Sequence, residues 1–276
     1  MKAVLIGWPL AHSISPAMHN AAFHALELQG EYSLLPVERE EDLRAVLTRL
    51  KSDPDWKGAN VTVPYKEKVV PYLQKLEGAA ARLKAVNTIA RKGKALIGHN
   101  TDMPGFLADL DRKGYDFRGR KVMVIGSGGA ARAVVLGLVE CRCHVSLIAV
   151  IREQADTLAR ELGDGRVEVI TWNEPSLTER VRSASLVVNT SPVGMWPNIE
   201  ASPWPESIPF PEKGGVYDVV YNPTETRFTR DAKSRGLKAA GGVGMLVEQG
   251  ALSFELWTGA PAPRDVMLQA AQAALA

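Results

Sequence analysis

Short apolar runs alternate with amphipathic stretches along almost the whole chain. Residues 3–7 read as a strand and 16–28 as a helix, followed by a strand at 32–36, a helix at 40–50 and a strand at 58–63. Residues 67–76 carry a helical pattern. Residues 86–89 and 95–98 read as a strand pair around Arg91-Lys92-Gly93. This β-α order predicts a parallel α/β sheet. After a helix at 101–113 the pattern restarts. Residues 121–125 are a β-branched strand that runs into Gly126-Ser127-Gly128-Gly129-Ala130-Ala131, and a helix follows to about Glu140. Then come a strand at 145–150, a helix at 153–162 and strands at 167–170, 186–190 and 216–219. Two βαβ units opened by a glycine loop make half of a dinucleotide-binding domain. Residues 197–211 hold five prolines and read as a surface loop.

The chain has 276 residues, which suits two domains, and the restart places the boundary near Met103-Pro104. Lys+Arg 33 against Asp+Glu 31 leaves a net charge of +2, which argues against a nucleic-acid binder with a dense basic face. Cys141 and Cys143 cannot build a disulfide framework and read as plain thiols. The apolar start is broken by Gly7 and Pro9, so it reads as a strand and not as a signal peptide. The uncharged stretch 183–199 contains Asn189, Pro192 and Pro197 and cannot span a bilayer as a helix. The expectation is a soluble cytoplasmic protein without a membrane or nucleic-acid partner.

The candidate chemistry sits at element ends. Gly126, Ser127, Gly128, Gly129 and Ala130 fit a dinucleotide fingerprint, with Gly126 for the turn and Gly128 for close approach of a pyrophosphate. Ser13 and Ser15 flank a helix start marked by Pro16, which suits either a carboxylate site or plain capping. Lys66 lies just beyond a strand end in Asn60-Val61-Thr62-Val63-Pro64-Tyr65-Lys66, where it could protonate a carbonyl oxygen or simply open a surface helix. Asn87 and Asp102 are short polar residues that could hold vicinal hydroxyls, and Asp102 could instead cap the next helix. Tyr221 follows a strand, and Gln249 sits on an apolar helical stretch at 244–256.

Taken in order, the stretches 13–20, 60–66, 86–88, 98–102, 126–133, 189–195, 218–223 and 244–251 resemble the shikimate dehydrogenases over essentially the whole chain. The resemblance implies an α/β fold of two domains with a cleft between them. The first is an open α/β substrate domain, 1–103 completed by 239–276; the second is a Rossmann-like domain, 104–238. It implies reversible NADPH-dependent reduction of 3-dehydroshikimate to shikimate, in the route to chorismate and the aromatic amino acids, without a metal. Ser13 and Ser15 would hold the substrate carboxylate. Thr62, Asn87, Asp102, Tyr221 and Gln249 would contact the rest of the substrate, with Lys66 and Asp102 the catalytic pair. The glycine loop, Thr190, Ser191, Val193, Met195, Val219, Gly242 and Met245 would line the cofactor. A quinate/shikimate or amino-shikimate dehydrogenase with relaxed or NAD preference and a non-catalytic sensor are the rival readings; monomer and homodimer both stay open.

One departure stands out. The family usually carries Asn-Arg-Thr after the second Rossmann strand, its arginine gripping the NADP 2′-phosphate; here Ala149-Val150-Ile151 stands in its place. No Asp or Glu replaces it for NAD, and Arg152 is the nearest cation. The expectation is a preference for NADP narrowed to about tenfold.

Overall fold

The structure, a computed structural model, describes all residues from Met1 to Ala276. It divides into two compact units, Met1–Gly105 with Val247–Ala276, and Phe106–Leu246. The first unit holds strands β1 (Lys2–Gly7), β2 (Glu31–Pro36), β3 (Trp56–Val61), β4 (Lys75–Leu76), β5 (Thr88–Lys92) and β6 (Ala95–His99). Its helices are α1 (Ser15–Ala25), α2 (Leu43–Ser52) and α3 (Ala79–Leu83), and the chain leaves it within α4 (Asp102–Arg112). Strand order is β2-β1-β3-β5-β6-β4. β1 pairs in parallel with β2 and β3, but β5 runs antiparallel to both β3 and β6. The sheet is therefore mixed where the β-α alternation predicts a parallel one. The cause is the tight β5–β6 hairpin, which turns at Gly93 with φ +62 and leaves no room for a crossover helix.

The helix expected at 67–76 is not there. Pro71 removes a backbone donor and its ring would clash with the preceding turn, so the segment makes one short 3-10 turn at Val70–Tyr72 and then β4. By contrast α2 follows its pattern: Leu43, Leu47 and Leu50 fall on one buried face. They join Val4, Ile6, Trp56, Val61 and Ile89 in the first unit's core.

The second unit adds β7 (Lys121–Ile125), α5 (Gly129–Glu140), β8 (His144–Ile148), α6 (Arg152–Leu162), β9 (Val167–Ile170), α7 (Leu177–Ser183), β10 (Leu186–Asn189), β11 (Gly215–Asp218), α8 (Arg227–Ser234) and β12 (Lys238–Ala240). The sheet is wholly parallel, in the order β12-β11-β10-β7-β8-β9. Its strands carry continuous apolar runs because helices cover both faces. α5 is buried nearly all round, from Ala131 to Val139. The chain returns to the first unit within α9 (Val243–Thr258) and ends in α10 (Arg264–Leu275). That return falls at Val247 and not at 239, because β12 hydrogen-bonds to β11 and so belongs to the second sheet.

The proline-rich stretch is more than a surface loop. Trp204 within it is buried, its ring against Trp172, Phe210 and Phe228, and its Nε1 donates to Ile208 O at 2.8 Å. No helix is long and apolar enough to cross a membrane.

Candidate active site

Ligands of open α/β sheets bind beyond the strands' carboxyl ends, where neighbouring strands send their connections opposite ways. In the first unit that point lies between β1 and β3, so Ser13, Ser15, Thr62 and Lys66 all belong to segments leaving it. Gly7 ends β1 without a side chain because a Cβ there would stand 2.4 Å from Thr62 Cγ2. Ser13 Oγ lies 3.2 Å from Ser15 Oγ and accepts the Ser15 N–H at 3.3 Å. The N-cap of α1 is Ile14, which has no capping side chain, and the one first-turn N–H that a serine meets is that of Ser15. Capping therefore leaves the two half-buried hydroxyls largely unexplained.

Lys66 does not open a helix. Its Nζ reaches Asp102 Oδ2 at 2.6 Å, with the two side chains only 27% and 13% exposed. Asp102 Oδ1 accepts from Asn87 Nδ2 at 2.8 Å. The Asp102 N–H is taken by Asn100 Oδ1 at 3.1 Å, so Asp102 spends its own carboxylate on Lys66 and Asn87 and not on the helix end. Asn87 comes next to Asp102 because β5 and β6 pair Thr88 with His99. Gln249 joins from α9, its Oε1 3.4 Å from Asn87 Nδ2. Sequence reasoning assigned no role to the polar residues beneath this group. Asn60, Thr88, Thr101 and Ser253 are buried and bonded to one another, and Asn60 also accepts from Tyr32 Oη at 2.8 Å. Asn60 carried a signal, a polar residue inside a strand whose other positions are almost all buried.

In the second unit the corresponding point lies between β7 and β10. Gly126 follows β7 with φ +111, and a Cβ on it would meet Thr190 Oγ1 at 2.6 Å. Thr190 is held there by donating its N–H and Oγ1 to Ile125 O at 2.8 and 2.7 Å. Gly128 is the N-cap of α5, which no side chain caps, and the places where Cβ atoms would stand on Gly128 and Gly129 are open. Exposed first-turn N–H groups under open space fit a pyrophosphate. Ser127 Oγ lies 3.4 Å from Gln154 Oε1, and Ala130 is the second residue of α5.

The rest of this edge is uneven. Val193 and Met195 are exposed and Ser191 Oγ donates to Asn189 Oδ1 at 2.7 Å. Val219 is half-buried, Gly242 packs so tightly that a Cβ would lie 2.1 Å from Val219 O, and Met245 is buried in the core. Tyr221 is half-buried, which raises its phenol pKa. Beyond β8, Val150 is fully exposed and Ile151 largely so, while Arg152 faces Asp156 at 3.5 Å. Asp218 ends β11 fully buried and accepts from Asn189 Nδ2, Val220 N and Thr226 Oγ1. Burial pushes its carboxyl up to about 6 against those bonds.

The chain matches three family profiles: the shikimate dehydrogenase substrate binding domain over residues 5–89, a putative NAD(P)-binding domain over 115–192, and the shikimate 5′-dehydrogenase C-terminal domain over 242–272. It is 43% identical over 268 residues to the shikimate dehydrogenase (NADP(+)) of Moorella thermoacetica, covering 95% of this chain and 90% of that one. The Salinibacter ruber enzyme of the same name is 41% identical over 277 residues, covering 98% and 96%. Among solved structures, shikimate 5-dehydrogenase from Thermus thermophilus, in complex with NADP(H) and shikimate, superposes with TM-score 0.90 at 38% identity over the whole of both chains.

Proposed function

The chain belongs to the shikimate dehydrogenase family, and we propose that it catalyses the reversible NADPH-dependent reduction of 3-dehydroshikimate to shikimate with Lys66 and Asp102 as its acid–base pair. The observation that carries the assignment is the Lys66–Asp102–Asn87 group, an ammonium held 2.6 Å from a carboxylate whose other oxygen an amide fixes. Lys66 has three N–H donors, and Asp102 orients the group so that another can face the ring carbonyl oxygen. As negative charge develops on that oxygen, Lys66 stabilises it and delivers the proton. In the reverse direction Lys66 takes the hydroxyl proton. Bound NADP(H) supplies or accepts the hydride.

Ser13 and Ser15 bind the substrate carboxylate through their hydroxyls. Thr62, Asn87, Asp102 and Gln249 read the ring hydroxyls, and Tyr221 is a further substrate contact. A substrate lacking a hydroxyl leaves such groups unpaired and is rejected for that reason. Gly126–Ala130 hold the pyrophosphate through backbone N–H groups, with Thr190, Ser191, Val193, Met195, Val219, Gly242 and Met245 shaping the rest of the cofactor's bed. Arg152 is the cation available to the 2′-phosphate.

Lys66→Ala tests the assignment. It should lower kcat by roughly 10²–10⁴, with a much smaller change in shikimate KM. A folded Lys66→Ala enzyme that keeps more than about a tenth of wild-type kcat would remove Lys66 from the mechanism.

A further inference from the structure

We propose that Ser253 is a positioning residue for the Lys66–Asp102 pair, acting through Thr88, Thr101 and the Asn87 amide; the inference rests on the catalytic reading of that pair. Ser253 and Thr88 are fully buried, so neither can touch a substrate. Ser253 Oγ can donate to Gln249 O at 2.9 Å and accepts from Asn60 Nδ2 at 3.0 Å. It lies 2.8 Å from Thr88 Oγ1 and 3.3 Å from Thr101 Oγ1. A hydroxyl has one hydrogen and two lone pairs. That one hydrogen serves Gln249 O or Thr88 Oγ1; turned to Thr88, it leaves the single Thr88 hydrogen for Asn87 Oδ1.

The two threonines lead on to Asn87. Its Oδ1 accepts from Thr88 Oγ1 at 3.0 Å, from Thr101 Oγ1 at 3.2 Å and from the Thr101 N–H at 2.7 Å. The carbonyl end of the amide is thereby held on the buried side, and its NH₂ end must face Asp102 Oδ1. A flipped amide would turn its oxygen on a carboxylate. Ser253 joins this cluster to α9, the helix that also carries Gln249. Between Leu252 and Phe254 an alanine would pack as well, and a buried hydroxyl is costly unless its bonds are made. Here they are made, and they lead to the amide that sets Asp102.

Kinetics in two backgrounds test the proposal. Ser253→Ala should lower kcat about three- to tenfold and leave the NADP⁺ KM within about twofold. Thr88→Val should do the same, and Thr88→Ser, which keeps the hydroxyl, should restore the rate. In an Asp102→Asn enzyme, already slow, Ser253→Ala should cost less than about twofold, because the group it positions is gone. A Ser253→Ala enzyme within twofold of wild-type kcat, or an equal loss in both backgrounds, overturns the role of Ser253 and leaves the catalytic pair standing. An Asp102→Asn enzyme with wild-type kcat overturns the pair, and this inference with it.

Discussion

The two units prepare for ligands by opposite means. In the first, side chains are locked to side chains: Lys66 to Asp102, Asp102 to Asn87, Asn87 to Thr101, and Asn60 to Thr88 and Ser253. In the second, the seat proposed for the pyrophosphate is made of backbone and of missing side chains, an uncapped helix start under open space at Gly128 and Gly129. The difference suits the ligand proposed for each. A small polyol is told from its relatives only by hydrogen bonds whose directions are fixed beforehand. A diphosphate is recognised by charge, for which oriented N–H groups at a helix end suffice. The first seat should fail when a functional group is deleted, and the second when an atom is added.

The largest test of this contrast removes both hydroxyls at the first seat. Ser13→Ala with Ser15→Ala should raise shikimate KM about 10²-fold or more, since each charge-assisted bond is worth roughly 1.5–3 kcal/mol. Melting should barely move, because Ile14 and neither serine is the N-cap of α1. A stability loss of about 1 kcal/mol with KM unchanged would return the serines to capping. Gly128→Val probes the second seat by addition. Gly128 has φ −78 and ψ −168, and nothing lies within 4 Å of the Cβ position, so the fold should accept valine. The NADP⁺ KM should rise roughly 10–100-fold as the branched side chain fills the pyrophosphate space, and an unchanged KM would place the cofactor elsewhere.

The smallest test is the response of each unit's buried ionisable group to acid. In the first unit His19 stacks on Tyr32 at 4.2 Å with neither ring nitrogen hydrogen-bonded, and burial pushes it down to about 3. Below about pH 6.5 the unfolded chain gains a proton that folded His19 refuses, so its contribution to stability falls as pH drops. Asp218 in the second unit has the opposite sign. Its folded pKa of about 6 lies above the ordinary 3.8, so the folded state binds a proton first and stability rises as pH falls from about 6 to 4. Each effect is on the order of 2 kcal/mol. Melting curves from pH 7 to 4.5 should show His19→Phe losing the acid penalty and Asp218→Asn losing the acid gain. Unchanged slopes in both variants would refute the two assignments.

Much of this was legible in the sequence, for reasons that differ by region. The glycine loop declares itself because a tight turn, close approach and helix packing each restrict the residue at a fixed offset. Lys66 and Asp102 were visible as polar residues at element ends. Their partnership was not, because it depends on the antiparallel β5–β6 register, which the strand pattern alone does not give. Ser253 looked like any small residue in an apolar helix, and only its neighbours across the fold show its bonds. Residues 67–76 keep a helical apolar spacing, but Pro71 within them breaks the helix, so spacing alone misleads there. Trp204 was lost among prolines for the same reason in reverse: loop composition hid a core residue.

Val150 and Ile151 are exposed and offer the NADP 2′-phosphate no cation, so shikimate oxidation should favour NADP⁺ by a narrow margin. The most direct measurement is kcat/KM for shikimate and quinate, each with NADP⁺ and NAD⁺, followed at the reduced-nicotinamide absorbance. Shikimate should lead quinate, and NADP⁺ should lead NAD⁺ by about tenfold. No turnover of shikimate with either nucleotide, or quinate the better substrate, would contradict the claim. A preference for NADP⁺ above about a thousandfold would show that a residue other than those of the 149–151 loop clamps the phosphate.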